Sequence, residues 1–434
     1  MHSIPPEGRR RPPSATDFLI ASRQSEMLSL EAFLGMGRLV VAVSNLVHAL
    51  QRERGASNLY LGAHGRRHGD RLAAMSADVD AQRARFDAAL AALDHAGGMI
   101  GGSRLFSRLA YCVHTLAELP QVRDRVQTQT LTPEEAVRCY SELVRGLLAV
   151  VFEAAENAAD PAISRTLVAM FNFMQGKELA GQERAAGCAG FARGEVDNAL
   201  SERLLHLLEA QERCFQIFES FADEQALRLW QVVQGAPAVG ELERLRRLAC
   251  TAALRDRAQV DETLSDRWFE LTTERIDAMK SVEDYLESRL HGQCADKLAE
   301  AREGLVRHQS LVESALAQEA EHKDAYIVFC GTQGVAGQPD SYHSDGVSPR
   351  LGRSIIELVQ LQSQRLQAMQ DELNAARTAL DERKLMERAK VLLMKHRKLT
   401  EEQAYRLLRQ MAMNQSRRLV DVARAVVSMQ DVWE

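Results

Sequence analysis

Aromatic residues and prolines are scarce: Phe, Trp and Tyr make up 5% of the 434 residues, and Pro occurs 10 times. No stretch alternates apolar and polar β-branched residues at strand length, which excludes a sheet-based architecture. The seven cysteines (112, 139, 188, 214, 250, 294 and 330) are dispersed, with no Cys-x-x-Cys pair. That spacing excludes a disulfide framework and a zinc site, and it fits a reducing cytoplasm. The basic stretch "EGRRRPPSATDF" is followed by no apolar h-region, so no secretory signal is read there. The run "LVVAVSNLVHAL" falls short of the roughly 20 residues that span a bilayer, so no membrane association is expected. A Gly-rich phosphate loop, metal-ligand spacing and a His, Cys and acid grouping are also missing. Neither an enzyme, a cofactor nor a metal site is expected.

What is present is a helix-forming vocabulary: abundant Ala, Leu, Glu, Gln and Arg, with 46% hydrophobic and 26% charged residues. An all-α fold follows. Residues 1–16 read as a disordered N-terminal arm and 17–330 as a long helical region. Breaks near 95–103, 120–133, 159–162, 190–196, 234–240 and 291–294 divide the latter into about eight helices, enough for two four-helix bundles. The Gly-, Ser- and Pro-rich residues 331–350 read as a flexible linker.

Over 351–380, Ile355, Gln362, Met369 and Ala376 alternate with Val359, Leu366, Leu373 and Leu380 at heptad spacing. That seam predicts a coiled-coil-like helix and a homodimer; one more packed amphipathic helix is the alternative. Residues 381–434 read as three helices. The second is opened by a capping box of Thr400 and Gln403, and the third is buried through Leu419, Val422, Ala423 and Val426. From 348 to 434 there are 16 Lys/Arg against 11 Asp/Glu, although the whole chain carries a net charge of −6. Such asymmetry points to a polyanion partner for the tail alone.

Two arginines lie on apolar helical stripes. In "LVHALQRERGASNLYLGAHG", steps of three, four and seven from Arg54 reach Val47, Leu50, Ser57, Asn58 and Leu61, whereas Arg52 points almost the opposite way. In "WFELTTERIDAMKSVEDYL", the same steps from Arg275 reach Trp268, Leu271, Ala278, Met279 and Val282. A buried cation needs an anionic partner. One arrangement is an internal ion pair with Glu or Asp from a facing helix. The other is a diffusible planar oxyanion held in guanidinium forks, such as nitrate, nitrite or a carboxylate. A third stretch, "QGKELAGQERAAG", carries Arg184 in a less apolar setting and reads first as a packing motif.

"LQRERGASNLYL", "QGKELAGQERAAG" and "WFELTTERIDAMKSVE" resemble the signature stretches of the NIT domain, a nitrate- and nitrite-sensing helical module. "ALDERKLMERAKVLLMKHRKLTEEQAYRLLRQMAMNQSRRLVDVARAVV" resembles an ANTAR domain, an RNA-binding three-helix module that controls transcription termination. Their order is that of nitrate-responsive transcription antiterminators. The resemblance implies a NIT domain at 17–330, an ANTAR domain at 381–434, and Arg54 and Arg275 as the nitrate-binding pair. It also implies that Lys390, Arg397, Arg409, Arg417 and Arg418 meet leader mRNA stem-loops, with Tyr405 available for base stacking. Nitrate bridging Arg54 and Arg275 would then release a sequestered ANTAR domain. Two alternatives stay open: a helix-turn-helix binding duplex DNA, and an antiterminator that senses a different oxyanion.

Overall fold

Amphipathic segments opened by Thr-Pro and Asp-Pro steps fold as helices. The computed structural model describes residues 15–93, 102–158, 160–252, 258–259, 261, 263–319, 326–328, 341–343, 373–374, 377–378, 380–415 and 417–428. Along the chain run α1 (Ala15–Gly62), α2 (Gly69–Ala91), α3 (Gly102–Leu116), α4 (Leu119–Gln127), α5 (Pro133–Asn157) and α6 (Pro161–Ala192). After β1 (Glu195–Val196) come α7 (Asn198–Phe221), α8 (Glu224–Gln234), α9 (Pro237–Ala252), β2 (Ala258–Gln259) and α10 (Leu264–Glu319). β3 (Tyr326–Val328), β4 (Ser341–His343), α11 (380–397), α12 (Glu401–Gln415) and α13 (Leu419–Ser428) follow. The strands make two short antiparallel ladders, with Val196 opposite Ala258 and Ile327 opposite Tyr342.

The chain clusters into two units, one of Met1–Leu34 with Cys294–Asp371 and one of Gly35–Gln293 with Glu372–Glu434. In the first, Arg302 of α10 bridges Glu31 of α1 at 2.8 Å. The second holds every charged cluster described below.

Short polar side chains set the helix starts in that second unit. Thr132 caps α5 in a capping box with Glu135, and Asp160 caps α6 by accepting from the amides of Ala162 and Ile163. Asp197 and Asp223 do the same for α7 and α8. Each cap satisfies amides that lack an intrahelical partner, and Pro at the first turn of α5 and α6 forfeits none. α6 is buried almost all round and packs along α5 and α7, the mark of a central helix. Beside it Phe173 meets Phe215, Phe218 and Trp230 at centroid distances of 5.7, 4.8 and 5.4 Å. Gly187 lets Trp268 of α10 lie directly on α6, since a Cβ there would stand 2.2 Å from the indole. At the C-terminal end, Ala389, Leu393, Ala404, Leu408, Ala412, Val422, Ala423 and Val426 form a separate small core under α11–α13. The capping box of Thr400 and Gln403 is present, with bonds of 3.0 and 3.3 Å.

The chain is all-α apart from the short ladders. Ten helices, α1–α10, are described up to residue 319 where about eight were expected. The break expected at 291–294 is absent, because Leu290 and Cys294 are core residues and α10 runs straight through Gly292. A break not foreseen falls between α1 and α2, where His64, Gly65 and His68 all have positive φ. Leu30–Gly62 is also long and apolar enough to cross a membrane, which the uncharged-run criterion did not register. Of its most apolar window, 61% is buried within the protein, as in the core helix of a globular domain. The expected N-terminal arm up to residue 14, most of the linker and most of the coiled-coil-like helix over 351–380 lie outside the described residues.

Candidate anion site and nucleic-acid interface

Arg54 lies inside, as its stripe requires: Val47, Leu50, Ser57 and Leu61 are all buried around it, whereas Arg52 is exposed and pairs with Asp78. Its guanidinium is closed by a carboxylate of the same chain. Glu178 of α6 accepts from Nη1 at 2.5 Å and from Nη2 at 3.1 Å, and Ser141 accepts from Nη1 at 2.7 Å. The internal ion pair is therefore the arrangement adopted by Arg54. Glu178 has further donors: Gln51 Nε2 reaches Oε2 at 3.0 Å and Gln182 Nε2 reaches Oε1 at 2.9 Å.

The cation left short of negative charge is Arg184, on α6. It is buried, yet it donates only to neutral oxygens, Thr273 Oγ1 at 3.0 Å and the carbonyl of Gln51 at 3.3 Å. Among the described residues no carboxylate comes within ion-pair distance. Burial, then the neighbouring Arg54, pulls its pKa down to about 10, which leaves it cationic at neutral pH. The two helices reciprocate: Arg54 Nη2 lies over Gly181, and Arg184 Nη2 lies over Gly55, where a Cβ would stand 2.3 and 2.7 Å away. Between them Arg54, Arg184, Asn58 and Phe269 line a void of about 10 Å³, room for one water. The Asn58 Oδ1 is buried with no hydrogen-bond partner.

Arg275 does not line that void. Phe269 and Thr273, four residues apart, share the face of α10 turned to Arg184. Arg275, two residues beyond Thr273, points roughly 200° away at 3.6 residues per turn. It lines instead a cleft of about 550 Å³ with Gln211, Phe215, Arg246, Tyr405 and Arg409. Its Nη1 donates to Gln211 Oε1 at 3.1 Å and lies 4.0 Å from Glu183. Glu183 is already taken by Arg246 through two bonds of 2.7 Å. Burial, then Arg246, lowers the Arg275 pKa to about 10. The expected Arg54–Arg275 pair is thus not assembled in this arrangement; Arg54 meets Arg184.

Other buried charges are internally closed. Lys177 of α6 donates to Glu283 at 2.6 Å and lies 3.0 Å from His48 Nδ1, tying α1, α6 and α10 together. Burial, then Lys177, drives the His48 imidazole down to about 2. Glu53 accepts from Arg123 at 2.6 and 3.0 Å. Sequence inspection missed Glu178 as a partner and ranked Arg184 below Arg275. The one available signal was that "RERGAS" and "QERAAG" share a glycine or alanine step after an arginine, which lets two guanidinium-bearing helices approach.

The basic tail divides in two. Arg397, Arg417 and Arg418 are exposed. Lys390 is spent within the tail on Glu387 and Glu401, each at 2.8 Å. Tyr405 is buried, with the Arg213 guanidinium 4.4 Å over its ring and His206 5.2 Å away on α7, so no base can stack on it here. Arg409 bonds Glu209, and Arg406 bonds Glu202 at 2.6 Å. Arg383 lies over Phe171 at 4.8 Å and reaches Asn172 at 3.4 Å, and Lys384 pairs with Glu156.

A central helix shared by arginine-bearing neighbours, with a basic three-helix module seated on α5–α7, defines a sensor with a nucleic-acid-binding output. The chain belongs to the NIT family, whose model, described as nitrate and nitrite sensing, matches residues 45–291; an ANTAR domain model matches residues 374–427. It is 34% identical over 421 residues to the nitrate regulatory protein of Klebsiella oxytoca, across 97% of this chain and 96% of that one. The solved structure of the NasR transcription antiterminator matches with a TM-score of 0.59 at 33% identity, across 97% of this chain and 100% of that one.

Proposed function

We propose that this protein is a nitrate- and nitrite-responsive transcription antiterminator that binds leader mRNA stem-loops through its ANTAR domain when the NIT domain holds the anion. The observation that carries the sensing half is Arg184, a buried guanidinium facing Arg54 across a void with only neutral acceptors. Two guanidiniums and one carboxylate leave that cluster one positive charge in excess, and a monovalent planar oxyanion balances it. Arg54 and Arg184 hold the anion. Arg275, which the resemblance implies as a ligand, is assigned to the opposite face of α10, beside the tail.

The output half rests on Arg409, Arg406 and Tyr405 being engaged by α7 while Arg397, Arg417 and Arg418 stay exposed. A docked tail offers RNA part of its basic surface; a released one offers all but Lys390. The protein acts as a homodimer in the cytoplasm, and no enzymatic step is part of the mechanism. A void with room for one water is too small for a four-atom anion, so binding requires the two guanidiniums to part.

Calorimetry with nitrate, nitrite and acetate on the full chain tests the site. Arg54→Lys and Arg184→Lys keep the charge but lose the fork, and each is expected to weaken nitrate binding at least tenfold, with Arg275→Lys near the unaltered protein. Loss confined to Arg54→Lys and Arg275→Lys would overturn the assignment of Arg184. A mobility assay comparing leader RNA with duplex promoter DNA tests the output: nitrate is expected to raise RNA binding and leave DNA unbound.

A further inference from the structure

Glu178 gives Arg54 what a planar oxyanion would give it: two coplanar oxygens on a trigonal centre, meeting two parallel N–H groups at 2.5 and 3.1 Å. Resting on the nitrate-sensing reading above, we propose that Glu178 is an internal competitor for the anion, a carboxylate that occupies the Arg54 fork until nitrate or nitrite exchanges for it, and so sets both the threshold and the selectivity of the site.

Three features make the exchange physically reasonable. First, Glu178 does not depend on Arg54 for satisfaction. Gln182 donates to one of its oxygens at 2.9 Å and Gln51 to the other at 3.0 Å. When the guanidinium turns away, both oxygens keep a donor, so the heavy penalty for an orphaned buried carboxylate is avoided. Glu183 on the same helix differs: Nε and Nη2 of Arg246 hold its two oxygens, and loss of that partner would leave a single hydrogen-bond donor, Gln211 at 2.8 Å, with Arg275 4.0 Å away.

Second, the guanidinium has somewhere to go. Nη2 lies over Gly181, where no side chain blocks its swing towards the void; a Cβ there would sit 2.3 Å from it. Third, the receiving side is already cationic, because Arg184 on the far wall has neutral partners only. An anion between the two arginines gains both forks, and Glu178 gives up one.

Selectivity follows from the exchange. A halide is a single atom and cannot replace two parallel bonds at once, so it loses to the resident carboxylate. A dianion overshoots the single excess charge of the cluster. Nitrate and nitrite match the carboxylate in shape and the cluster in charge.

The test uses the full-length protein with nitrate and chloride as probes. Glu178→Gln keeps the side chain's size and removes its charge. Calorimetry is expected to show nitrate binding at least tenfold tighter than in the unaltered protein, with chloride becoming a measurable competitor. Glu178→Asp, which retains the charge on a shorter arm, covers the case in which the glutamine variant does not fold; a weaker grip on Arg54 should again tighten nitrate binding. Unchanged or weaker nitrate binding in the folded variant overturns the proposal. Because charge removal alone could favour an anion, nitrate-soaked crystals supply the second readout: Arg54 Nη and Glu178 Oε should part beyond 3.5 Å, and a fork that persists beside bound nitrate refutes the exchange. No nitrate binding by the unaltered protein would remove the sensing function itself, and this inference with it.

Discussion

At the scale of single residues, the core of this protein encloses several charged side chains, Lys177 and Glu283 among them, and the half-buried His48 beside them turns that into a pH response. Its imidazole accepts from Lys177 through Nδ1, which requires the neutral ring, and burial with Lys177 and Lys280 nearby holds its pKa at about 2. The unfolded chain protonates the same ring near 6.5, so the unfolded state takes up a proton first as pH falls. Stability contributed by the neutral ring is fully present above pH 6.5 and drains away below it. Denaturant midpoints measured from pH 7 to 4 should fall with a slope of up to about 1.4 kcal/mol per pH unit from this group. His48→Gln, which keeps an acceptor and cannot titrate, should flatten that slope; an unchanged slope would mean His48 titrates freely.

Which residues would be buried was legible at this scale, and which would be paired was not. Helical steps of three, four and seven separated Arg54 from Arg52 correctly, since the surroundings of a side chain on its own helix follow from spacing alone. Glu178 could not be nominated as the partner of Arg54. It stands 124 residues away, in a stretch where it resembles any other acid, and its role exists only once α1 lies on α6.

At the scale of elements, glycines decide how closely α6 is approached. Gly187→Ala would drive a methyl to within 2.2 Å of the Trp268 ring on α10, and the indole is wholly buried with nowhere to retreat. Overpacking of this sort costs about 1–3 kcal/mol, and urea unfolding should show it as a lower midpoint. Gly292 is the contrast: it sits mid-helix in α10 with nothing within 4 Å. Gly292→Ala should stabilise by about 0.5–1 kcal/mol, because alanine restricts the unfolded chain and fits the helix. Opposite signs for the two substitutions are the expected result. Gly292 also explains why a break was anticipated at "HGQC" and does not occur. Glycine is a weak helix former, but its flanks Leu290 and Cys294 are both core residues, and packing overrides local preference. The cap at Thr400 is the opposite case, in which local chemistry and the observed helix start agree; Thr132, Asp160 and Asp197 cap their helices by the same chemistry.

At the scale of the whole molecule, the described contacts put α12 on α7 through two exposed ion pairs, Arg406 with Glu202 and Arg409 with Glu209. Such pairs contribute about 0.2–1 kcal/mol each. Replacing both Glu202 and Glu209 by Ala should therefore raise RNA binding without nitrate by roughly two- to thirtyfold, read in a mobility assay at fixed salt. No change would mean that these pairs do not hold the tail. None of this was visible in the charge pattern of the tail, whose excess of basic residues says that it meets acids and leaves open whose.

The seating of Tyr405 against Arg213 and of Arg409 against Glu209 has a thermodynamic corollary. Side chains committed to the protein's own surface are withdrawn from the transcript, so whatever shifts the balance one way must be repaid in kind from the other end. If nitrate strengthens the grip on RNA by a given factor, the transcript strengthens the grip on nitrate by that same factor. The messenger is then an effector of its own sensor, and a cell making more leader RNA would respond to a lower concentration of the ion.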